Sequence, residues 1–232
     1  MTLSMVEQYT CLIEFLGKTL GPDYEVILHD LSDTGSSIIA IANGHISGRT
    51  VGAPLTNVAL KLIADKVYER ENYSLNYGGV GVNGQPLRSS TMFIKDKTGH
   101  PVGLLCINFD ASRYQELSQK MLQLCHPDGF WPIPPAAVPH ESAAPRTGYD
   151  VESFYNSISD VTKDVVGQVI AESGVPADRL TQEEKMEIIE LLDKKGIFLL
   201  KGSVKYVADC LYCSQASVYR YLSKVSSDKN SL

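Results

Sequence analysis

The chain has 232 residues, of which 44% are hydrophobic and 21% charged, and its formal net charge is −6. This length predicts one large or two modest domains of an ordinary globular protein. No apolar run approaches the roughly 20 residues of a membrane-spanning helix, so we expect no membrane partner. The N-terminus, MTLSMVEQYT, lacks the basic-then-apolar order of a secretory signal. Five scattered cysteines do not form a disulfide framework, which predicts a reducing, cytoplasmic location.

Apolar spacing predicts an α+β fold for the first half of the chain. In chain order, the predicted elements are a helix at 5–20, a hairpin of EVILHDL (25–31) and SSIIAIAN (36–43), a helix at 55–70, a hairpin of RSSTMFIKD (88–96) and HPVGLLCINFD (100–110), and a helix at 111–124. Because the strands come as hairpins, they predict an antiparallel sheet of four to five strands. We expect flanking helices on one face of this sheet and a pocket enclosed between them.

A proline-rich segment, PDGFWPIPPAAVPHESAAPRTG, follows the last of these helices. Proline removes backbone donors and fixes φ, so this segment predicts a linker. The predicted organisation is an N-terminal domain at 1–126, a linker at 127–150, a connecting or dimerisation helix at 151–178 and a C-terminal domain at 179–226. Apolar residues at alternating three- and four-residue steps in 151–165 are typical of a helix–helix seam. Two heptads are short enough that packing within the chain explains them nearly as well as dimerisation does.

Residues 202–222, GSVKYVADCLYCSQASVYRYL, have the spacing of a helix-turn-helix. Val204, Val207, Ala208 and Leu211 would form one face of a short helix, and Tyr212 would lie in the turn. A glycine in the left-handed conformation is usual at that turn, so Tyr212 predicts a strained position. Ser214 would then cap a second helix with Val218, Tyr221 and Leu222 inside. The C-terminal domain is therefore predicted to be all-α.

The second helix of such a motif enters the DNA major groove by its N-terminal end, so double-stranded DNA is the predicted partner. Residues 194–225 carry six basic side chains against Asp209, a local charge of +5 on an acidic protein. Residues with amide, guanidinium, hydroxyl or ammonium groups would meet base edges and phosphates. The predicted DNA contacts are Ser203, Lys205, Ser214, Gln215, Ala216, Ser217, Tyr219, Arg220 and Lys224. A helical hairpin that only packs is the alternative.

Several blocks of the chain resemble one known family. They are LGPDYEVILHDL, IIAIANGHISGRTVGAPLT, LRSSTMFIKD, GLLCINFD, KKGIFLLKGSVKYVADCL and SVYRYL. In this order they resemble the YheO-like PAS-domain transcriptional regulators, a family that includes the D-arginine utilisation repressor type. The resemblance covers nearly the whole chain except the linker. It implies a PAS-like sensor domain before the linker and a helix-turn-helix after it, without identifying a ligand.

The glycine-rich segment NGHISGRTVGAPLT (43–56) does not fit a phosphate loop or a catalytic site. It is one residue short of the Walker pattern, with Arg49 where the lysine belongs. GGVGVNG (78–84) contains G-x-G-x-x-G but leads into a predicted strand, so the dinucleotide pattern fails and a mobile or tight loop is expected. His45 and Ser47 lack an identifiable third partner, so no catalytic residue is predicted.

The same segment favours the wall of a pocket for a small molecule. Glycine lets the backbone approach a ligand closely, and the Arg49 guanidinium can face a carboxylate or phosphate. Asn108 interrupts an apolar strand, and a buried asparagine needs partners. The predicted ligand contacts are Asn43, His45, Ser47, Gly48, Arg49, Arg88, Ser89, Ser90, Thr91 and Asn108. The expected effector is anionic or zwitterionic and amino-acid-like. In the alternative, Arg49 and Arg88 pair with Asp30, Asp96 or Asp110 as scaffold.

Neither a metal nor a cofactor is predicted. Cys210 and Cys213 form a C-x-x-C, but a zinc site needs four ligands and no second pair lies nearby. Both thiols are more simply explained as small residues packing inside the helix-turn-helix, and a redox role stays open.

Taken together, the sequence predicts a ligand-responsive, DNA-binding regulator that acts as a homodimer on an operator with two half-sites. Repression rather than activation follows from the family resemblance alone. Two other hypotheses stay open. One is a cofactor-bearing sensor that signals through protein–protein contacts, and the other is a small-molecule enzyme.

Overall fold

The computed structural model describes residues 4–125 and 151–229, so the predicted linker lies outside the described residues. The helices are α1 (Met5–Leu20), α2 (Asn57–Ala64), α3 (Ser112–Cys125), α4 (Ile158–Ser173), α5 (Gln182–Lys194), α6 (Ser203–Cys210) and α7 (Gln215–Lys229). The strands are β1 (Tyr24–Asp30), β2 (Ile38–Ala42), β3 (Tyr73–Val80), β4 (Pro86–Lys95), β5 (Pro101–Asp110) and β6 (Glu152–Ser153). The α+β fold with an all-helical C-terminal part is confirmed.

The six strands form one sheet in the order β2-β1-β5-β4-β3-β6. Both predicted hairpins are confirmed, since β1 pairs with β2 and β4 with β5, each antiparallel. The prediction missed two strands. Gly78 and Gly79 lie in β3 rather than in a loop, and β6 follows the linker and pairs in parallel with β3. The sheet is therefore mixed, because the chain returns to its edge after leaving the N-terminal domain.

Helices cover both faces of the sheet, and the expectation of helices on one face was wrong. Side chains alternate along a strand, so Val26 and Leu28 of β1 face one way and Ile27 the other. Val26 and Leu28 pack with Ile13 of α1 in one apolar cluster. Ile27 belongs to a second, larger cluster that also contains residues of α2 and of the C-terminal helices, among them Val161. The sheet thus lies between α1 on one face and α2 with the C-terminal helices on the other.

Local signals explain where the first helices begin and end. Ser4 caps α1 with a capping box, in which the Ser4 backbone amide donates to Glu7 Oε2 over 2.8 Å. The helix predicted at 55–70 is broken in the structure. It ends at Ala64, and Lys66 takes a left-handed conformation with φ of 50° before a short 3₁₀ turn at 67–69. A continuous α-helix cannot pass through that conformation.

The C-terminal helices and the N-terminal domain share one apolar core. Val161, Val165 and Val166 of α4 are buried in the cluster that contains Ile27 and Leu104 of the sheet. Val161 and Val165 of the predicted helix–helix seam therefore pack within the chain, whereas Val151 is exposed. The helix was also predicted to begin too early. Residues 151–157, which we call the strap, include β6 and end at Ser157, the residue that caps α4.

The C-terminal domain also docks against the N-terminal domain through direct polar contacts. Thr34 Oγ1 donates a hydrogen bond to the Leu199 carbonyl oxygen over 2.6 Å, and Lys201 Nζ donates to the Ser32 carbonyl oxygen over 3.3 Å. Gly35 lies so close to Ile158 that a β-carbon at position 35 would come within 2.7 Å of Ile158 Cδ1. These contacts fix the start of α4 and the segment before α6 on the N-terminal domain.

Candidate DNA interface and buried polar cluster

The helix-turn-helix is built by α6 and α7 with a four-residue connection. Ser214 caps α7, because its hydroxyl accepts a hydrogen bond from the Ser217 backbone amide over 3.1 Å. Tyr212 has a positive φ of 48°, so the chain takes the left-handed turn without the usual glycine. The strained position predicted from the sequence is present, and the Tyr212 side chain is exposed.

Apolar residues hold the two helices against each other and against the rest of the domain. Val207, Ala208 and Leu211 are buried on the α6 side, and Val218 and Tyr221 are buried on α7. Ala208 is a small buried residue on the α6 side of this contact. Its carbonyl oxygen accepts a hydrogen bond from the Cys213 backbone amide over 3.0 Å, which ties the connection to α6. The opposite face of α7 is left to solvent.

Most residues predicted to contact DNA are exposed to solvent, either on that face of α7, in the connection before it or on α6. The exposed ones are Lys205, Ser214, Gln215, Ala216, Tyr219, Arg220 and Lys224. Ser217 is half-buried, because its hydroxyl lies 3.0 Å from that of Ser214 within the cap. Ser203 does not belong to this surface. It is fully buried at the first residue of α6, where a short side chain lets the helix start against the core.

The surface combines positive charge with groups that can read bases. The Arg220 guanidinium carbon lies 5.3 Å from the centre of the Tyr221 ring, and Lys205 Nζ lies 5.9 Å from the centre of the Tyr206 ring. Such contacts order the stems of long cationic side chains while their charged ends stay in solvent. The N-terminal end of α7 therefore presents an amide, a guanidinium and hydroxyl groups together.

A second arrangement of polar groups lies inside the N-terminal domain, on the sheet face that carries Ile27. We call it the polar cluster, and its members, all buried, are Glu25, Ser47, Arg49, Thr56, Tyr77, Ser89, Thr91, Asn108 and Glu152. Strands β1, β3, β4 and β5 contribute five of them through the inward positions of the pleat. The strap contributes Glu152, so the cluster joins residues from both sides of the linker.

Glu25 is held by residues that the sequence also placed in a pocket. Its Oε1 accepts a hydrogen bond from Ser47 Oγ over 2.6 Å and its Oε2 accepts one from Asn108 Nδ2 over 2.7 Å. Burial raises the pKa of the Glu25 carboxyl, and these hydrogen bonds oppose that shift. Asn108 is thus explained in part by a carboxylate that the sequence reading missed.

Arg49 is engaged by the backbone. Its Nε donates to the Tyr155 carbonyl oxygen of the strap over 3.3 Å, and its Nη2 donates to the Pro54 carbonyl oxygen. Burial lowers the pKa of this guanidinium, and the charge of Glu152 opposes that effect. Within the described residues Arg49 makes no ion pair with an aspartate, so the scaffold alternative does not describe it.

Glu152 is the deepest connection between the strap and the N-terminal domain. Its Oε1 accepts a hydrogen bond from Thr56 Oγ1 over 2.7 Å, and Thr56 also caps α2. Burial raises the pKa of the Glu152 carboxyl, while the nearby Ser89 and Thr56 hydroxyls favour its ionised form. Among the residues that the structure describes, Glu152 Oε2, Ser89 Oγ and Asn108 Oδ1 have no hydrogen-bond partner.

A chain of three buried groups, Tyr77, Thr91 and Cys106, lines the same sheet face. Tyr77 Oη lies 2.7 Å from Thr91 Oγ1, which lies 3.2 Å from Cys106 Sγ. Burial raises the pKa of the Cys106 thiol to about 12, so it stays protonated and does not act as a nucleophile. This side of the polar cluster is therefore neutral.

The structure brings five of the ten predicted ligand contacts together and leaves the others apart. Ser47, Arg49, Ser89, Thr91 and Asn108 join the polar cluster. His45 and Arg88 are exposed, and the Arg88 guanidinium carbon lies 5.2 Å from the centre of the Phe109 ring. The remaining three make hydrogen bonds that involve the backbone. Asn43 Nδ2 donates to the Tyr24 carbonyl oxygen, and Ser90 Oγ accepts from the Asn76 backbone amide. The Gly48 carbonyl oxygen accepts from Asn156 Nδ2.

Successive side chains of a strand alternate between its two faces, so Arg88 and Ser90 point to the opposite side of β4 from Ser89 and Thr91. This alternation explains why only part of the predicted set joins the polar cluster. The signal for Glu25 was available in the sequence as a lone carboxylate at the start of an apolar strand. Glu152 carried no such signal, since its burial depends on the return of the chain after the linker.

No group of histidine, cysteine and carboxylate side chains in the described ranges could hold a metal ion. Cys210 and Cys213 are half-buried free thiols that pack against the large apolar cluster, and burial raises the pKa of each. In the same ranges, the helices are too short or too polar to cross a membrane.

Comparison with known proteins matches the two parts of the chain to two domain families. The YheO-like PAS domain matches residues 2–126, which contain the first five strands, and a helix-turn-helix (HTH) domain matches residues 161–223. The second match begins inside α4, so it includes most of the helix predicted as a separate connection.

Relatives align over most of the chain. The uncharacterized protein YheO of Escherichia coli (strain K12) is 29% identical over 96% of this chain and 85% of its own length. The transcriptional regulator DauR of Pseudomonas aeruginosa is 24% identical over 95% of this chain and 94% of its own length. The solved phage VqmA-DPO complex covers 94% of this chain and 88% of that chain at 11% identity, but its TM-score of 0.35 is too low to support an argument. The chain therefore belongs to the family of proteins with a YheO-like PAS domain, followed here by a helix-turn-helix domain.

Proposed function

We propose that this chain is a ligand-responsive transcriptional repressor that binds an operator with two half-sites as a homodimer in the cytoplasm. The observation that carries the proposal is the exposed N-terminal end of α7, where Gln215 and Arg220 extend from a capped, well-packed helix. The match to a helix-turn-helix domain and the similarity to the transcriptional regulator DauR support DNA as the partner. The family resemblance supports repression.

The residues divide into two roles at the DNA. Gln215 and Arg220 are suited to base edges, because an amide can pair with adenine and a guanidinium with guanine. Ser214, Lys205 and Lys224 are suited to phosphates, which position the helix without reading sequence. In a dimer, two copies of α7 would enter successive major grooves about one helical turn apart.

The PAS domain supplies the regulatory half of the proposal. The polar cluster lies on the sheet face that packs against the C-terminal helices, and the strap carries one of its members directly into α4. An effector that binds the cluster better in one domain arrangement than in another would shift the population of DNA-binding molecules. The signal would pass through the strap into α4.

The proposal is tested by titrating the full-length protein onto its own upstream DNA over a series of salt concentrations. We expect steep salt dependence for the wild type, and a loss of about 1–3 kcal/mol with relaxed specificity for Arg220→Ala. Lys224→Ala should weaken binding to all sequences alike and reduce the salt slope by about 1. Arg70→Ala, an exposed arginine of the N-terminal domain, is the matched control and should bind as the wild type does. Equal binding by Arg220→Ala and Arg70→Ala would contradict the assignment of α7.

A further inference from the structure

We infer that the polar cluster binds a primary ammonium group of a small effector, and that Glu152 of the strap is one of the groups that hold it. This inference rests on the proposed role of the PAS domain as a sensor, and it names the chemistry that this domain recognises. The expected effector was anionic or zwitterionic with Arg49 facing its anionic group, whereas this inference places a cationic group of the effector at the polar cluster.

The unpartnered atoms of the cluster define which chemistry fits. Asn108 Oδ1 and, when the carboxyl is ionised, Glu152 Oε2 can only accept hydrogen bonds. The Ser89 hydroxyl proton favours the ionised form of the neighbouring Glu152, which leaves the lone pairs of Ser89 Oγ as a third acceptor. The Asn108 amide is oriented by its own bond, in which Nδ2 donates to Glu25 Oε2 over 2.7 Å, so its oxygen is the free end. An ammonium group offers three donors and no acceptor, which matches three acceptors.

The strand register places these atoms near one another. Ser89 of β4 and Asn108 of β5 are direct partners, and Asn108 is also the partner of Glu25 in β1. Directly paired residues of antiparallel strands have Cα atoms about 4.5–5.5 Å apart, with side chains on the same face. Glu152 approaches from β6, where it pairs with Gly79. A β-carbon at Gly79 would lie 3.1 Å from Ser89 Oγ and 3.2 Å from Phe154 Cε2, so the Phe154 ring of the strap covers the sheet beside that hydroxyl.

Charge favours a cation over an anion at this place. Two buried carboxyl groups, Glu25 and Glu152, face a single guanidinium, whose Nε and Nη2 already donate to backbone carbonyl oxygens. His29 on the same sheet face adds no positive charge, because burial holds the pKa of its imidazole well below the ordinary value. A buried charge is costly without a partner, so an ammonium ion would balance the second carboxylate. A ligand carboxylate would instead meet two groups of its own sign.

The strap is the element that can admit such a group. It adds two residues to the sheet edge, far fewer than the ten of β4 or β5. Its other hydrogen bonds to the N-terminal domain involve side chains. Asn57 Nδ2 donates to the Val151 carbonyl oxygen and the Ser153 amide donates to Asn57 Oδ1, in addition to the bonds to Arg49, Thr56 and Gly48 given above. An ammonium ion held by Glu152 on the strap and Asn108 on the sheet would bridge the two and fix the strap in place.

The test uses the full chain and ethylammonium chloride as the probe, with tetramethylammonium chloride at equal ionic strength as the comparison. Both ions carry one positive charge, but tetramethylammonium has no N–H donor. We expect ethylammonium, and not tetramethylammonium, to raise the unfolding temperature and to slow hydrogen exchange of the strap amides, Ser153 in particular. The size of each effect against probe concentration gives the affinity.

Two variants separate the assigned role from general charge effects. Glu152→Gln keeps the volume and can still accept from Thr56, but it loses the charge, so we expect about tenfold weaker ethylammonium binding or more. Glu71→Gln removes an exposed carboxylate of the same domain and should leave binding unchanged. Equal effects of the two ions, no effect of either, or an unchanged affinity in Glu152→Gln would each overturn the inference.

This experiment needs no DNA, so it fails or succeeds separately from the proposed function. The Arg220→Ala protein should bind ethylammonium as the wild type does, because α7 lies outside the polar cluster. Ethylammonium binding together with absent DNA binding would support the ammonium site and contradict the regulator. DNA binding without selectivity for ethylammonium would support the regulator and contradict the ammonium site.

Discussion

Gly196 lies against the backbone of Leu60, although the two residues belong to different domains. A β-carbon at position 196 would come within 2.8 Å of the Leu60 carbonyl oxygen and 3.2 Å of Ala64 Cβ. Gly196 also has a φ of 77°, a conformation that side chains rarely adopt. The end of α5 is therefore pressed onto α2, and this contact helps to set the position of the helix-turn-helix on the PAS domain.

We expect Gly196→Ala to destabilise the protein by more than the strain of a positive φ alone. That strain costs about 1–2 kcal/mol, and the methyl group would in addition push against a backbone carbonyl that cannot move aside cheaply. Gly174→Ala is the control, because Gly174 has a φ of 70° and open space around its Cα. Urea unfolding of both variants measures the difference. Equal losses of unfolding free energy would show that the close approach to Leu60 adds nothing.

Asn57→Ala should loosen the strap without disturbing the sheet. The Asn57 side chain makes bonds of 3.0 Å to the Val151 carbonyl oxygen and 2.9 Å to the Ser153 amide, and each such bond contributes about 0.5–1.5 kcal/mol. We expect faster hydrogen exchange at Ser153 and unchanged exchange in β4. Asn83→Ala, in an exposed turn, serves as the control. Unchanged protection at Ser153 would mean that the bonds to Asn57 do not hold the strap.

Tyr212→Gly should stabilise the helix-turn-helix by about 1 kcal/mol. Glycine takes the left-handed turn without the steric cost that the tyrosine β-carbon carries at its φ of 48°. Only 29% of the Tyr212 surface is lost on folding, since 71% remains exposed, so little apolar burial is given up. Thermal unfolding of Tyr212→Gly and Tyr212→Ala separates the two contributions. A melting temperature of Tyr212→Gly no higher than that of Tyr212→Ala would contradict the strain.

Substitutions at Ser214 should distinguish a cap from a phosphate contact. Ser214→Ala removes the acceptor for the Ser217 amide and should cost about 1 kcal/mol, whereas Ser214→Gly should cost a few tenths. Both variants lose the hydroxyl. If Ser214 contacts a phosphate as proposed, the two proteins should bind DNA equally weakly despite their different stabilities. Normal DNA affinity in Ser214→Gly would restrict the residue to capping.

Stability should fall on the acid side because of His29. Burial holds the pKa of its imidazole well below the value of about 6.5 in unfolded chains. As pH falls below that unfolded value, the unfolded state binds a proton that the native state does not, so the free energy of unfolding falls by up to about 1.4 kcal/mol per pH unit. Between about pH 7.5 and about pH 5.5, His29→Gln should lose less stability than the wild type.

The raised pKa values of Glu25 and Glu152 act in the opposite direction, since the native state then holds protons that the unfolded state has released. Their stabilising effect is lost as pH rises above about 4.5 toward the native values. They are present in the wild type and in His29→Gln alike, so the difference in slope isolates the histidine. His45→Gln, at an exposed position, should follow the wild-type slope.

Local patterns accounted for much of the fold. The hairpins, α1 and the turn at Tyr212 depend on residues close in sequence, and each is present. The glycines of β3 hid a strand, because Gly78 and Gly79 resemble a loop in composition. Their pairing with Arg88 and Leu87 of β4 decides the matter, and no local signal shows it.

Part of the polar cluster was predicted from the sequence, and part was not. Ser47, Ser89 and Asn108 were predicted as contacts lining one pocket, Asn108 because it interrupts an apolar strand, and the structure brings them to one face of the sheet. Which neighbours leave that face depends on the strand register, and this moved Arg88 to the surface. Glu152 enters the cluster 44 residues after Asn108, the preceding member in sequence, through the pairing of β6 with β3. Long-range pairing of that kind is not encoded in local spacing.

The apolar cluster shared by the sheet and the C-terminal helices has a consequence for how the molecule comes apart. Ile27 and Leu104 on one side, and Val165 and Val207 on the other, shield one another from water. Separating the chain at its proline-rich segment would leave both halves with a bare apolar face, so neither piece should be soluble by itself. A chain cut there after folding should instead migrate as one particle and melt in a single transition.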